Sequence, residues 1–380
     1  MTDNSGRTAA LSGAVRSPQP MMSQRRIDNL DMLRAAAIVL VLVYHMGVMS
    51  PPSLDWPKNV TSFGEHGVDL FFVLSGWLIG GLYWRERQIF SDVAIGLFLT
   101  RRWLRTLPPY FAALALSFAA ASAAHGARFD WTYLCFLQNY EKQVPFFDVS
   151  WSLCVEEHFY LLLPFIFALT RRPALPLSAL FVAAVLSSIM GRYAHWAEAS
   201  QYFGRAQTGT HLNLCGLTLG VGLAYISTHS KAWTAKITKA APFALGISTV
   251  WIILLQSSSN RLQFALTSAA VAVFFASLLL LLLQASPFVA VRWIRPIALS
   301  SYSVYLTHAL ALHAALFLMK YCSVGSAFYI AVSLALVGLF GGAMYFAVER
   351  PAILLRDRLW PRRSFSELLL GGTAGQREFV

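Results

Sequence analysis

The chain has 380 residues, 57% of them hydrophobic and 13% charged, with a mean hydropathy of +0.55. That balance excludes an ordinary soluble domain and points to a polytopic membrane protein. The formal charge of +12 would suit nucleic-acid binding in a soluble chain, so its placement along the sequence decides its meaning.

The first residues are polar, rich in Ser, Gly, Pro and Arg, and lack the apolar stretch of a signal peptide. Residues 1–26 therefore read as a disordered basic cytoplasmic tail. Ten apolar runs follow, near 33–50, 68–84, 108–124, 151–170, 174–191, 212–228, 240–256, 262–284, 296–319 and 328–348. They define one ten-helix membrane domain over 27–360, with a cytoplasmic C-terminal tail over 361–380. With the N-terminus inside, 23 of the 30 Lys and Arg fall on the cytoplasmic side. The expected fold is thus all-α and polytopic, with about ten spans and both termini cytoplasmic. The lipid bilayer is the expected partner, and nucleic acid is not.

Residues 89–107, before the third span, are apolar and basic. They predict a separate interfacial helix, with Pro108 and Pro109 in the first turn of the span that follows. Residues 125–150 carry Trp131, Tyr133, Phe136, Tyr140, Phe146 and Phe147, the composition of an interfacial belt or of a lid. Cys135, Cys154, Cys215 and Cys322 show no paired spacing, so no metal or redox site is indicated, and a Cys135–Cys322 bridge stays open. The chain has no internal repeat and no matched pair of broken helices, which weighs against a transporter.

In LDMLRAAAIVLVLVYHM (30–46), Arg34 and His45 lie close to three turns apart on one face, with Asp31 about 40° from His45. An ionisable stripe in an apolar helix marks a functional site by default. Arg101, Arg102 and Arg105 precede the third span. The pair Arg102 and Arg105, at i and i+3, can aim two planar guanidiniums at one phosphate arriving from the cytoplasm, the alternative being topogenic charge. Glu65, His66 and Asp69 open the second span, where Gly76, Gly80 and Gly81 predict close approach of a helix or ligand. Ser75 on that span reads as a packing hydroxyl.

In WSLCVEEHFYLLLP (151–164), Trp151 fits an interfacial anchor. Glu156, Glu157 and His158 point in three directions, so at least one faces protein or water, and Tyr160 shares the face of Glu156. On the ninth span Ser301 and His308 share a face with Tyr305 beside them, while His313 points away and reads as a core hydrogen-bonder. Glu349 near the inner end of the tenth span is expected to pair with Arg350 or an inner-loop Arg.

Six stretches, LDMLRAAAIVLVLVYH, GVDLFFVLSGWLI, RRWLRTLPPY, WSLCVEEHFYLLLP, SYSVYLTH and VERP, together resemble the acyltransferase 3 family in order and approximate spacing. The resemblance implies a bacterial cytoplasmic-membrane O-acyltransferase. Such an enzyme moves an acyl group, usually acetyl, from cytoplasmic acyl-CoA to a hydroxyl of an envelope carbohydrate or glycolipid. Acetyl-CoA is then a co-substrate and not a resident cofactor. The family's essential His falls on His45, its Arg-x-x-Arg on Arg102 and Arg105, its first-helix Asp and Arg on Asp31 and Arg34, and its C-terminal Glu on Glu349. Cys154 and His158 depart from the family's common Ser and Gln. No hydrolase-like segment follows the tenth span, so transfer through such a domain is not expected.

On this reading Arg34, Arg101, Arg102 and Arg105 take the donor phosphates. His45, helped by Asp31, Glu156 or Glu157, carries the proton chemistry, either as a general base or as an acyl carrier. Asp69, Glu65, Trp151, His158, Tyr160, Tyr305 and His308 line the acceptor path. The residues also fit a proton-coupled exporter of an envelope precursor using His45, Glu156 and His308 as a relay, which leaves the Arg pair without a role.

Overall fold

The computed structural model describes residues 24–51, 58–90, 95–168, 173–201, 203–256, 260–286, 291–322 and 326–359, and every regular element among them is helical. Both expected tails lie outside the described residues, save Gln24 to Arg26, which already belong to the first helix. The order is α1 (Gln24–Val48), short α2 (Lys58–Gly64), α3 (Gly67–Phe90), α4 (Ile95–His125), α5 (Trp151–Ala168), α6 (Ala174–Ala194), short α7 (Trp196–Ala199) and α8 (Arg205–Thr208). It continues with α9 (Cys215–His229), α10 (Lys231–Gln256), α11 (Arg261–Leu282), α12 (Val291–Cys322), α13 (Ser326–Met344) and α14 (Arg350–Leu359).

Among the described residues, eight helical stretches are long and apolar enough to cross a membrane. The chain is a multi-pass membrane protein. Helices also form over the other two predicted spans, but α5 and α9 have 18 and 15 residues. These are about 27 and 22 Å long, against a hydrocarbon core of about 30 Å.

Helix α9 seats deep against α3 because both contact faces carry small residues four apart, Gly76 and Gly80 facing Gly216 and Gly220. A Cβ on Gly76 would run into the Leu217 carbonyl, one on Gly220 into the Val73 carbonyl, and one on Gly80 would stand 3.0 Å from Val221 Cα. This is the small-residue packing by which apolar helices associate in lipid. The helix approach anticipated for Gly76 and Gly80 is thus α9, whereas Gly81 lines a cavity. At the start of α1, Asn29 Nδ2 donates to the carbonyls of Leu282 (2.5 Å) and Ala285 (2.9 Å), tying α1 to the frayed end of α11.

Two expectations fail. Among the described residues no separate interfacial helix precedes the third span: α4 runs unbroken from Ile95 to His125, with Pro108 and Pro109 inside it. The two prolines remove the amide donors to the Leu104 and Arg105 carbonyls, yet packing against α12, where Tyr302 Oη donates to the Thr106 carbonyl at 2.8 Å, carries the helix through. Nor is segment 125–150 simply a belt. Tyr133 and Phe147 are buried, and Tyr133 Oη accepts from Phe147 N at 2.9 Å. Tyr110 Oη donates to the Tyr133 carbonyl (2.8 Å) and receives Gln138 Nε2 (3.2 Å), so most of the aromatic run is a cap packed on α4; Trp131, 73% exposed, keeps the interfacial role. Cys135 is free.

Between α13 and α14 lies one wide turn, Tyr345–Glu349, in which Arg350 N donates to the Tyr345 carbonyl five residues back. Pro351 cannot donate to Ala347, which loosens the ladder there. The insertion buries the side chain of Glu349 completely. Such π-bulges recur at functional sites.

Candidate active site

A cavity of 510 Å³ opens between α1, α3, α4, α5, α12 and α14. Its α3 wall runs from Val68 to Leu82, about 21 Å along the helix axis. Five guanidiniums line it: Arg34 on α1, Arg101, Arg102 and Arg105 on α4, and Arg356 on α14. Ser75, Ser152, Glu156, Ser301, Tyr302 and Tyr305 complete its polar wall, and Phe71, Leu74, Leu78, Leu82 and Phe98 supply an apolar one.

Buried cations need partners. Arg34 bonds Asp31 (3.0 Å), and Asp31 therefore serves Arg34 and not His45. Arg102 lies 3.6 Å from Glu156 Oε2 and stacks 3.3 Å above the Tyr160 ring. Glu156 also accepts from Ser75 Oγ (2.6 Å) and Tyr160 Oη (2.7 Å). Ser75 is thus a cavity hydroxyl and not the packing group its position suggested. Arg105 Nε stands 3.9 Å from Glu349 Oε1, while Ser303 Oγ donates to Glu349 Oε2 at 2.6 Å. Glu349 thus pairs with Arg105, and at 3.9 Å that contact leaves the guanidinium edge available. Arg102 Nε is buried without a hydrogen-bond partner among the described residues. A donor held that way is open to an acceptor from water or a ligand.

The three ionisable residues of α5 do diverge. Glu156 faces the cavity; Glu157 accepts from Trp103 Nε1 (2.9 Å) and Thr106 Oγ1 (3.3 Å) on α4; His158 Nδ1 meets Thr210 Oγ1 (2.7 Å) on the far side. Trp151 packs edge-on to Phe72 and lies off the cavity lining.

His45 stands one layer beyond the cavity wall, at the α1–α12 contact. Its ring lies 4.6 Å from that of His308, and the His308 ring lies 5.6 Å from that of Tyr305, which lines the cavity. Both histidines spend Nδ1 on their own helix, His45 on the Val41 carbonyl (2.9 Å) and His308 on the Tyr305 carbonyl (2.6 Å). A carbonyl only accepts, so Nδ1 carries the hydrogen and Nε2 keeps its lone pair. His308 is fully buried, and its Nε2 has no hydrogen-bond partner among the described residues. Tyr305 is moored to the start of α5 by Ser152 Oγ (2.7 Å) and to the turn before it by the Val149 carbonyl (2.9 Å). The anticipated relay of His45, Glu156 and His308 does not assemble, because Glu156 is held at the Arg102 end. His313 is exposed on the outer face of α12, contrary to its reading as a core group.

Around the other side of His45, Tyr44 packs against it with ring centroids 5.0 Å apart, and Glu65 and Asp148 lie near enough for their charges to act on Tyr44. The charge of Asp148 also reaches His45. Asp69 bonds His66 (3.1 Å), which stands 3.6 Å from Glu65. Sequence reasoning missed Asp148, Ser152, Tyr302 and Arg356. Asp148 sits three residues before the Trp151 motif, but nothing in its spacing indicates its neighbours. Among the described residues no group of His, Cys, Asp and Glu could hold a metal ion.

The fold and site define a multi-pass helical membrane protein whose arginine-lined cavity ends near a histidine pair. The model of the acyltransferase 3 domain matches residues 27–348, and the chain belongs to that family. It is similar to O-acetyltransferase OatA of Staphylococcus aureus strain NCTC 8325 / PS 47, 28% identical in an alignment 321 residues long that covers 76% of this chain and 51% of that protein. The OatA of strain COL matches to the same extent. The chain thus spans about half the length of these relatives. No solved structure gives a significant match.

Proposed function

We propose that the protein is an O-acetyltransferase of the bacterial cytoplasmic membrane, with ten spans and both termini inside. In this reading it transfers acetyl from cytoplasmic acetyl-CoA to a hydroxyl of an envelope carbohydrate or glycolipid. The observation that carries this reading is the cavity itself: five guanidiniums at one end, an apolar wall, and a histidine pair beyond Tyr305. The names of the relatives supply the acetyl group.

The donor phosphates bind to Arg102 and Arg105, with Arg34 close by. The narrow pantetheine arm lies along the apolar wall towards Phe71 and Tyr305, whose rings meet edge to face with centroids 6.2 Å apart and must part for the thioester to reach His45. The acceptor enters from the opposite membrane face past Tyr44, Glu65, Asp69 and Asp148. His45 Nε2 takes the hydroxyl proton as the oxygen attacks the thioester carbonyl. The C–S bond breaks, and the thiolate recovers the proton from His45, so donor and acceptor leave as CoA thiol and ester. Proton transfer of this kind contributes about 10²- to 10⁴-fold. His308 lies against the ring on which the positive charge develops.

The test is release of free CoA thiol from acetyl-CoA by the purified protein, wild type beside His45→Ala, with and without an envelope-glycan extract. Release that requires both His45 and the extract is the expected result. Equal release from both proteins removes His45 from the chemistry. Absence of both release and acetyl-CoA binding rejects the donor.

A further inference from the structure

The donor reading gives Arg356 no role and assigns Arg101, expected to take a donor phosphate, to no particular one, although both line the same cavity as Arg102 and Arg105. Arg356 lies on α14, beyond the residues 27–348 that the family model covers, yet α14 packs on α4 and brings its side chain into the cavity wall. There Arg356 holds Asp357 Oδ1 through Nε (2.8 Å) and NH2 (2.7 Å), and the same oxygen lies 3.5 Å from Arg101 NH2. One carboxylate oxygen is therefore shared by two guanidiniums from different helices. Both arginine side chains are largely covered, 15% exposed for Arg356 and 19% for Arg101, whereas Asp357 is 48% exposed. The carboxylate is the outermost and most replaceable member of the trio.

We propose that Arg101 and Arg356 form a second anion subsite, which takes the ribose 3′-phosphate of CoA while Arg102 and Arg105 take its pyrophosphate. This deepens the donor reading above and rests on it. On α4 Arg101 stands next to Arg102 and four residues, about 6 Å of axial rise, from Arg105, so the two subsites adjoin each other. The 3′-phosphate and the 5′-pyrophosphate leave the same ribose ring, and two adjoining anion sites match that arrangement. A phosphate dianion offers the oxygens that Asp357 offers, with a second charge, and a planar guanidinium fork binds either group side-on. In the empty cavity Asp357 occupies the position of the phosphate and keeps the two cations together. In the loaded cavity it yields to the stronger anion and turns to water.

The experiment is calorimetric titration of the full-length protein in detergent with CoA and with 3′-dephospho-CoA. The wild type is expected to bind CoA about tenfold or more tightly than dephospho-CoA, the scale of one charge-assisted contact. Arg356→Gln and Arg101→Gln should each reduce that preference towards unity while dephospho-CoA affinity stays as in the wild type, which also reports that the variant is folded. Asp357→Asn should increase CoA affinity, because it removes the competing anion. A merely structural bridge predicts instead that Asp357→Asn and Arg356→Gln weaken both ligands together, and that outcome overturns the proposal. Equal binding of the two nucleotides by the wild type also overturns it and leaves the donor reading standing. Failure of the wild type to bind either nucleotide overturns both.

Discussion

The pairing of Arg102 with Glu156 offers the most searching test of the cavity. The two charges lie 3.6 Å apart, so at an effective dielectric near 20 their attraction is roughly 4.6 kcal/mol. Their side chains are 25% and 21% exposed, so solvent takes a share of that attraction. Ser75 and Tyr160 go on holding Glu156 when Arg102 is removed. The net coupling should therefore be about 1.5–3 kcal/mol, less than the 3–5 kcal/mol cost typical of breaking a fully buried pair. A double-mutant cycle of Arg102→Gln and Glu156→Gln, read by unfolding in detergent, measures it. Each single variant should lose stability, and the double variant should recover part of the combined loss. In CoA titrations Arg102→Gln should weaken binding at least tenfold in both backgrounds, whereas Glu156→Gln, which releases the guanidinium, should tighten it. Stability losses that add to within about 0.5 kcal/mol would refute the coupling, and tighter binding in the Arg102→Gln protein would refute the role assigned to the cation.

Other substitutions probe the remaining parts. His308→Phe keeps a ring against His45 but removes the unpartnered nitrogen. Acetyl transfer should fall about tenfold or more with CoA affinity unchanged, and a parallel loss of CoA binding would assign His308 to packing. Glu349→Gln retains an acceptor for Ser303 but withdraws the counter-charge of Arg105. CoA affinity should change while the unfolding temperature moves little, since the amide relieves a buried charge. Gly76→Ala places a methyl against the Leu217 carbonyl and should cost about 1–3 kcal/mol, whereas Gly222→Ala on α9, which meets nothing within 4 Å, should be silent. Equal stability of these two variants, measured by thermal unfolding, would contradict the α3–α9 contact.

The parts legible in the sequence are those set by local periodicity. Apolar runs locate the helices, and Gly76 and Gly80 mark a face of α3 open to close approach, without saying that α9 takes it. The spacing of Arg102 and Arg105 sets them along one side of α4 whatever surrounds them. Continuity was not legible where tertiary packing overrides a local signal. Pro108 and Pro109 read as the start of a helix, and α12 carries α4 straight through them. Partnership was the least legible, because charge pairing joins helices that are remote in sequence. Asp31 is within reach of either Arg34 or His45 on a helical wheel, and Arg34 takes it in the structure. Glu156 seemed a natural neighbour for His45 until α3 and α4 supplied Ser75 and Arg102.

That distribution of carboxylates bears on mechanism. Arg34, Arg102 and Arg105 each face a separate carboxylate, and Arg101 and Arg356 share one. The arginine end can therefore stand folded without a ligand and still exchange carboxylate contacts for phosphate when one arrives. The histidine end is built differently. Each imidazole is fixed by a backbone carbonyl, which leaves Nε2 as the basic nitrogen without consuming a carboxylate. A carboxylate bonded to Nδ1 would hold the ring more firmly when charged, and its absence there fits a base that must return its proton to the departing thiolate within the same turnover. Placing an Asp at Val41, one helical turn before His45 on α1, therefore ought to slow transfer by retaining the proton, even though it supplies the dyad familiar from serine hydrolases. Faster acetyl transfer in Val41→Asp, at unchanged CoA affinity, would show that the carbonyl is a weakness of the site and not part of its design.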